Sequence, residues 1–389
     1  MYLILGFLVF SFIMTSINNS NEGIFDPSIY DRYVDLRKLG KKIYQELKPN
    51  PNPRIREPEP IPENYKPKPY GEKKTYPQNW PVYYAACRSE KLMVFRIIND
   101  SIEDLDIPEN QVTNGRPRAD QKDILKALSI MAYCGLSMWR IESELRIAKA
   151  LGILKKVYKR SALSKYLGKP EITEYLHQVY KKIAEPIGVV ETQLAADATG
   201  ISVSYGRKRW VEVRDQFQEH TDYKKLHAVC GCKTNIIFAA EITVGTAHDS
   251  PPFKELINTT TEYIQAKEIS ADPAYLSRKN VDHIASKGLL PYILPKKNVR
   301  TLNKGSDGTW GRMIRLWKEH QDIFALHYHQ RSNVESTFGM LKRKFGYHTR
   351  AKNEVAQTNE ILTKIVCLNA AILGEAILEF NMQPHFMDT

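Results

Sequence analysis

With 389 residues, 42% of them hydrophobic and 26% charged, the chain is long enough for two or three domains and apolar enough to fill a core, which excludes a fibrous or wholly disordered protein. Lys and Arg number 56 against 44 Asp and Glu, a formal net charge of +12, and that excess favours a polyanionic partner, nucleic acid ahead of an anionic membrane surface. Five scattered cysteines (Cys87, Cys134, Cys230, Cys232, Cys367) form no C-x-x-C pair, so neither a disulfide framework nor a zinc ribbon is supported and reduced thiols in the cytoplasm are expected.

The first fourteen residues, MYLILGFLVFSFIM, are apolar and uncharged but fall short of the ~20 that span a bilayer. No basic n-region precedes them and no small-x-small cleavage site follows. A stable membrane partner is therefore not expected, and Met14 offers an alternative start. Ten prolines from Pro49 through Pro81 fix φ and remove backbone donors, which predicts an extended linker or arm. Residues 1–80 are read together as this apolar N-terminus and arm.

From 81 to 188 the pattern is helical. Ile124, Leu128 and Met131 recur at helical spacing, Gly135 interrupts, and Met138, Ile141, Leu145 and Ala148 resume it. A third segment, KRSALSKYLGKPE, has Ser161 as an N-cap and Gly168 and Pro170 as stops, and carries Lys159, Arg160, Ser164 and Lys165. Short helices separated by glycine fit a helix-turn-helix DNA-binding domain or an ordinary bundle with a solvated basic face.

Beyond Gly188 the signal turns to strands. VVETQLAADATGISVS reads as one, and KLHAVCGCKTNIIFAAEITVG as two more with a turn near Lys233–Asn235. In the first of these two, Cys230 and Cys232 share a face opposite His227, which favours small residues packed in a sheet over a metal cluster. A helix in SPPFKELINTTTEYIQA follows, then the strand KEISADPAY ending near Asp272, a helix over 275–287, and the strand GLLPYILPK. A polar connection over 296–326 carries Trp310 and Trp317. Two helices, 327–345 and 358–380, close the chain. The order is α/β, with a meander of hairpins feeding a partly parallel sheet.

The segment YHQRSNVESTFGMLKRKF, residues 328–345, carries the chemistry. At 100° per residue Tyr328, Arg331, Glu335 and Lys342 fall on one stripe about 60° wide, and Val334, Phe338, Leu341 and Phe345 form an apolar stripe roughly a quarter turn away. Such a helix buries one stripe and holds the other at the margin of the core. The plain alternative is a surface helix with an i,i+4 Arg–Glu pair worth a few tenths of a kcal/mol.

Tyr328-x2-Arg331-x3-Glu335-x6-Lys342 resembles the signature around the third acidic residue of DDE transposases from prokaryotic insertion sequences. In that family the first catalytic Asp lies on the first strand of a ribonuclease-H-like sheet and the second at the end of the fourth. AADATG sets Asp197 on the first predicted strand and SADPAY sets Asp272 at the end of the fourth, 75 residues further on and 63 before Glu335. The resemblance implies a ribonuclease-H-like mixed sheet flanked by helices over 189–382, preceded by an α-helical DNA-binding domain over 81–188. Asp282 and Asp215 are rival acids, ranked below Asp272 because neither sits at a predicted strand end.

Converging carboxylates repel one another unless a divalent cation neutralises them, and oxygen-only ligands suit Mg²⁺ or Mn²⁺. Asp197, Asp272 and Glu335 are thus expected as catalytic metal ligands, two ions being the implied number. The resemblance further implies phosphodiester hydrolysis at the ends of a transposable element and strand transfer of the freed 3′-OH. Its partners would be double-stranded DNA and a second copy of the chain in a synaptic homodimer, in a nucleoid-associated cytoplasmic protein. Arg331 and Lys342 are expected on DNA phosphates, with Tyr328 on phosphate, sugar or base. Arg343 and Lys344, with Arg350 and Lys352, form a basic run that tracks a backbone or solvates a helix end. Trp310 and Trp317 stand where some relatives hold a flipped base, though core or lid packing is the simpler reading. A nuclease without strand transfer, a catalytically silent DNA-binding derivative and a membrane-associated protein are the competing classes.

Overall fold

The computed structural model describes residues 79–108, 118–203, 209–213, 216–220, 222–248, 250–296 and 308–387. The apolar N-terminus, nearly all of the Pro-rich arm and Asp215 lie outside these residues.

Helix α1 (Trp80–Glu103) opens on Asn79, whose side chain accepts from Val82 N, with Pro81 in the first turn, where its missing N–H costs nothing. Helix α2 (Gln121–Cys134) is capped by Asp120, accepting from Lys122 N and Asp123 N, and ends at Gly135 with φ +63°. Then come α3 (Glu142–Ala150), α4 (Arg160–Leu167) and α5 (Pro170–Ala184). Two local readings need correction. Lys159 rather than Ser161 occupies the N-cap of α4. Pro170, read as a stop, starts α5 instead, as proline at the first helical position does.

The strands are β1 (Gln193–Ser202), β2 (Arg209–Val213), β3 (Gln216–His220), β4 (Tyr223–Gly231), β5 (Ile237–Val244), β6 (Glu268–Ala271) and β7 (Leu290–Ile293). Five of them form one sheet in the order β5-β4-β1-β6-β7. β4 runs antiparallel to both β1 and β5, whereas β6 and β7 run parallel to β1. The β4–β5 turn falls where expected, with Asn235 at φ +65°, a conformation that asparagine tolerates. β2 and β3 pair with each other as a separate hairpin; the sequence reading left this stretch unassigned.

Helix α6 (Ser250–Thr261) links β5 to β6, and α7 (Arg278–Ser286) links β6 to β7, the crossovers that parallel strands require. The connection before the last helices is itself helical, as α8 (Thr309–Glu319) and α9 (Gln321–Tyr328). Helices α10 (Ser332–Phe345) and α11 (Glu354–Phe380) finish the chain.

α11 is apolar and long enough to cross a bilayer, yet 78% of its most apolar stretch is buried inside the protein. It packs on α1, α2, α5 and β5. Its polar groups are matched: the Asn359 amide donates to Leu167 O and Lys169 O at 2.8 and 3.1 Å, and the Asn369 amide donates to Ile237 O at 2.7 Å while its oxygen accepts from Ile237 N. Such pairing offsets the cost of burying amides. One continuous apolar core runs from Val94 and Leu128 through Ala195 and Phe238 to Leu373, so the helices before residue 188 and the sheet after it are packed together.

Candidate active site

β1 is the middle strand, with an antiparallel neighbour on one side and a parallel one on the other. Leu194, Ala195 and Ala196 are buried, and the strand opens at Asp197. Period two puts Asp197 and Thr199 on one face. The parallel register pairs Ala196 with Ala271. The next residues, Asp197 and Asp272, therefore follow at the same level of the sheet, Asp197 within β1 and Asp272 just past the end of β6. Pro273 cannot donate to the ladder, so β6 stops there, and the Asp272 carboxylate caps the following turn by accepting from Ala274 N at 2.8 Å. The site thus lies at the carboxyl edge of the parallel strands, where the strand order reverses.

Glu335 arrives from α10. Val334, Thr337, Phe338, Leu341 and Phe345 are buried, as the apolar stripe predicts. The expected single helix over 327–345 is instead two, joined by a tight 3₁₀ turn at His329–Arg331 whose residues keep right-handed helical backbone angles. The chain direction survives the break, so the i,i+4 relation of Arg331 and Glu335 survives as well. Thr337 donates to Asn333 O at 3.1 Å and meets Asn235 Oδ1 at 3.2 Å, fixing α10 to the β4–β5 turn.

Arg331 is the hub. Its Nη1 donates to Asp197 Oδ2 at 2.7 Å and its Nη2 to Glu335 Oε1 at 2.8 Å, short charge-assisted bonds. Burial works against its charge, but Tyr328, Asp197 and Glu335 outweigh it and hold the guanidinium above its ordinary pKa. Asp197 is pushed above the usual carboxylate range, first by burial and further by Asp272 and Glu335, against the Ala198 N–H and Arg331. Tyr328 is also raised, first by burial; Arg331 opposes this, and Asp272 and Asp197 add to it. These mutual influences place Asp197, Asp272, Glu335, Tyr328 and Arg331 in one electrostatic neighbourhood. Among the described residues, no three acidic, histidine or cysteine side chains already surround one ion-sized point; the Arg331 guanidinium stands between two of the acids.

Lys342 completes this face. Its ammonium donates to Thr199 Oγ1 at 2.6 Å, and burial lowers its pKa. Arg343 and Lys344 are placed elsewhere: Lys344 pairs with Glu90 on α1 at 2.5 Å, and Arg343 lies over Gly339. Both line a cavity between α1, α10 and α11. Asp282 is exposed on α7. Trp310 and Trp317 pack partly buried against the core from α8.

Sequence reasoning missed a brace beneath the site. His327 Nδ1 meets the buried Glu268 Oε1 at 2.8 Å, Gln193 Nε2 donates to the same oxygen at 2.6 Å, and the His327 ring stacks on Tyr292 at 4.5 Å. It pins the end of α9, and hence Tyr328, to β6 and β7. The only sequence signal was the adjacency of His327 to Tyr328.

A five-stranded sheet of this order, with three of its strands in a hairpin meander and two more reached through helical crossovers, is a ribonuclease-H-like fold with acids at its central carboxyl edge. Residues 190–370 match the family described as transposase DDE domain, and this part of the chain is a DDE-type transposase domain. The piggyBac transposase, seen by cryo-EM in a synaptic complex with hairpin DNA, is a distant structural neighbour. It has a TM-score of 0.36 and 10% identity, over 78% of each chain.

Proposed function

We propose that the protein is the transposase of a prokaryotic insertion sequence, cutting DNA at the element's ends and joining it to target DNA. The observation that carries this reading is the meeting of Asp197 and Glu335, from a strand and a distant helix, on Arg331 beside Asp272. The donor set fits a hard divalent cation: all its ligating atoms are carboxylate oxygens, and Asp197 sits in a field of acids that a cation relieves. Asp197, Asp272 and Glu335 are assigned as ligands for Mg²⁺ or Mn²⁺. Two such ions, when bound, stabilise the attacking and leaving oxygens of an in-line displacement at phosphorus.

The chain's own groups orient the substrate. Lys342 and Arg331 hold phosphate oxygens flanking the scissile bond, and Tyr328 bounds the site beside them. In the first step water attacks phosphorus and the P–O3′ bond breaks, leaving a 3′-OH and a 5′-phosphate. In the second that 3′-OH attacks a target phosphodiester, whose own O3′ leaves with a proton. One diester bond replaces another, so no energy-rich cofactor is consumed.

Helices α2 to α4, with Lys159, Arg160 and Lys165, are assigned to DNA binding, Arg343 and Lys344 to its flank, and a homodimer to synapsis in the nucleoid-associated cytoplasm. The test is a strand-transfer assay with DNA from the gene's own borders and purified protein in Mg²⁺ or Mn²⁺. Joined products support the reading, and inverted repeats at those borders would supply the substrate. Cleavage without joining would instead identify a nuclease.

A further inference from the structure

Asp197 has no free oxygen. Its Oδ1 accepts from Ala198 N at 2.7 Å and its Oδ2 from Arg331 Nη1 at 2.7 Å. The other arm of the same guanidinium holds Glu335. An ion that takes Asp197 and Glu335 as ligands therefore meets Arg331 already bonded to one oxygen of each, and the two cations repel one another at that distance. Charge counting points the same way. Three carboxylates with one guanidinium leave two negative charges, but three carboxylates with two divalent ions leave one positive charge. In the first state Arg331 is held by its neighbours; in the second it is repelled by them. Arg331 lies on the short turn between α9 and α10 with its side chain about one-fifth exposed.

We infer that Arg331 is an internal counter-cation that yields its two carboxylates to the entering metal and transfers its guanidinium to a DNA phosphate, coupling metal loading to DNA binding through one side chain. The inference rests on Asp197, Asp272 and Glu335 being the metal ligands. In the metal-free protein Arg331 holds α10 against the sheet and keeps the acids from repelling one another. With metal present, the released fork adds one phosphate contact. Metal and DNA then strengthen each other's binding, as reciprocity of linked equilibria demands.

The test titrates full-length protein with Mn²⁺, following free Mn²⁺ by electron paramagnetic resonance, with and without a short DNA duplex of arbitrary sequence. Arg331→Gln and Arg331→Ala should bind Mn²⁺ about tenfold more tightly than the parent in the absence of DNA, because a charge-assisted competitor has gone. Mn²⁺ should strengthen duplex binding in the parent and fail to do so in these variants. Equal or weaker Mn²⁺ binding by the variants, or an unchanged metal effect on duplex affinity, overturns the inference. Arg331→Lys covers the case in which the neutral variants do not fold: its ammonium lacks the planar fork that holds the two carboxylates at once in fixed geometry, so it too should bind Mn²⁺ more tightly than the parent. Asp197→Asn and Glu335→Gln separate the two levels. If they bind Mn²⁺ as well as the parent does, the ligand assignment itself falls. If they lose it while the Arg331 variants gain nothing, only the exchange does.

Discussion

Asp197 on β1 and Asp272 just past the end of β6 each lie one residue beyond the paired alanines Ala196 and Ala271. Backbone register alone holds them side by side, without any bond between their side chains. Replacing either by Asn keeps the shape and removes the charge, together with one of the two accepting oxygens. Each variant should keep its fold and its duplex affinity in the absence of metal, and should lose cleavage in Mg²⁺ by about a thousandfold or more, the several kcal/mol that metal-held oxygens contribute. Single-turnover cleavage of a border substrate, with circular dichroism as the fold control, checks this. Full activity in Asp272→Asn would remove that residue from the site.

Lys342 separates electrostatic from structural roles. It is partly buried, its ammonium donates to a neutral hydroxyl, Thr199 Oγ1 at 2.6 Å, and its pKa is lowered by burial. Among the described residues no acid offsets that burial, as expected of a cation kept for an anion that arrives later. Lys342→Met should weaken duplex binding and lower the salt slope of log K by about 1. Mn²⁺ affinity without DNA should stay unchanged. Fluorescence anisotropy across a salt series measures both. An unaltered slope would leave Lys342 as packing for β1.

Much of this was legible in the sequence because it is periodic or punctuated. The buried stripe of α10 follows from Val334, Phe338, Leu341 and Phe345, and the end of β6 from Pro273 after Asp272. The missed elements lack such marks. The hairpin of β2 and β3 sits in charged sequence, and α8 hides its face in a polar stretch with two tryptophans. Tertiary pairings left no trace at all. Nothing near Glu268 announces His327, 59 residues away, and nothing in the basic run sets Lys342 on Thr199 but Lys344 on Glu90. Spacing pointed to three acids; only the fold shows that Arg331 lies between two of them.

His177 gives the protein a stability loss in mild acid. It lies on α5, its Nδ1 3.1 Å from Tyr180 OH, and burial, with Lys181 adding, lowers its pKa to about 4. The unfolded chain protonates it near the ordinary value of ~6.5. As pH falls below 6.5 the unfolded state takes up a proton that the folded state refuses, so stability declines until both forms carry it below about pH 4. The full loss is on the order of 3 kcal/mol. Urea melts of the parent and His177→Gln at pH 7.5, 6 and 4.5 should diverge steadily toward the acid end. Buried acids with raised pKa act in the opposite sense but equally in both proteins. Parallel curves would show that His177 titrates normally.

Glu191 ties the fold to the site from beneath. It is fully buried and accepts from Thr234 N at 2.6 Å, Thr234 Oγ1 at 2.7 Å and Lys233 N at 3.1 Å, closing the turn between β4 and β5. Gly231 admits it: a Cβ there would stand 2.2 Å from the carboxylate. The same turn supports α10 through Asn235 with Thr337, and the 3₁₀ turn before it through Cys232 Sγ near Gln330 O at 3.7 Å. Glu191→Ala strands two backbone donors and a hydroxyl in the interior, a cost of about 3 kcal/mol, or roughly 5–10 °C in melting temperature. Glu191→Gln keeps an acceptor in place and should lose much less, because burial already raises the carboxyl's pKa and so disfavours its charge. The activity of Glu191→Ala should also fall, well below its melting point, since Glu335 rides on the helix that this turn holds. Melting curves and cleavage rates of both variants decide the matter. A stable but inactive Glu191→Ala would mean that the turn positions α10 without contributing to the core, and a fully active, fully stable one would mean that water replaces the carboxylate at no cost.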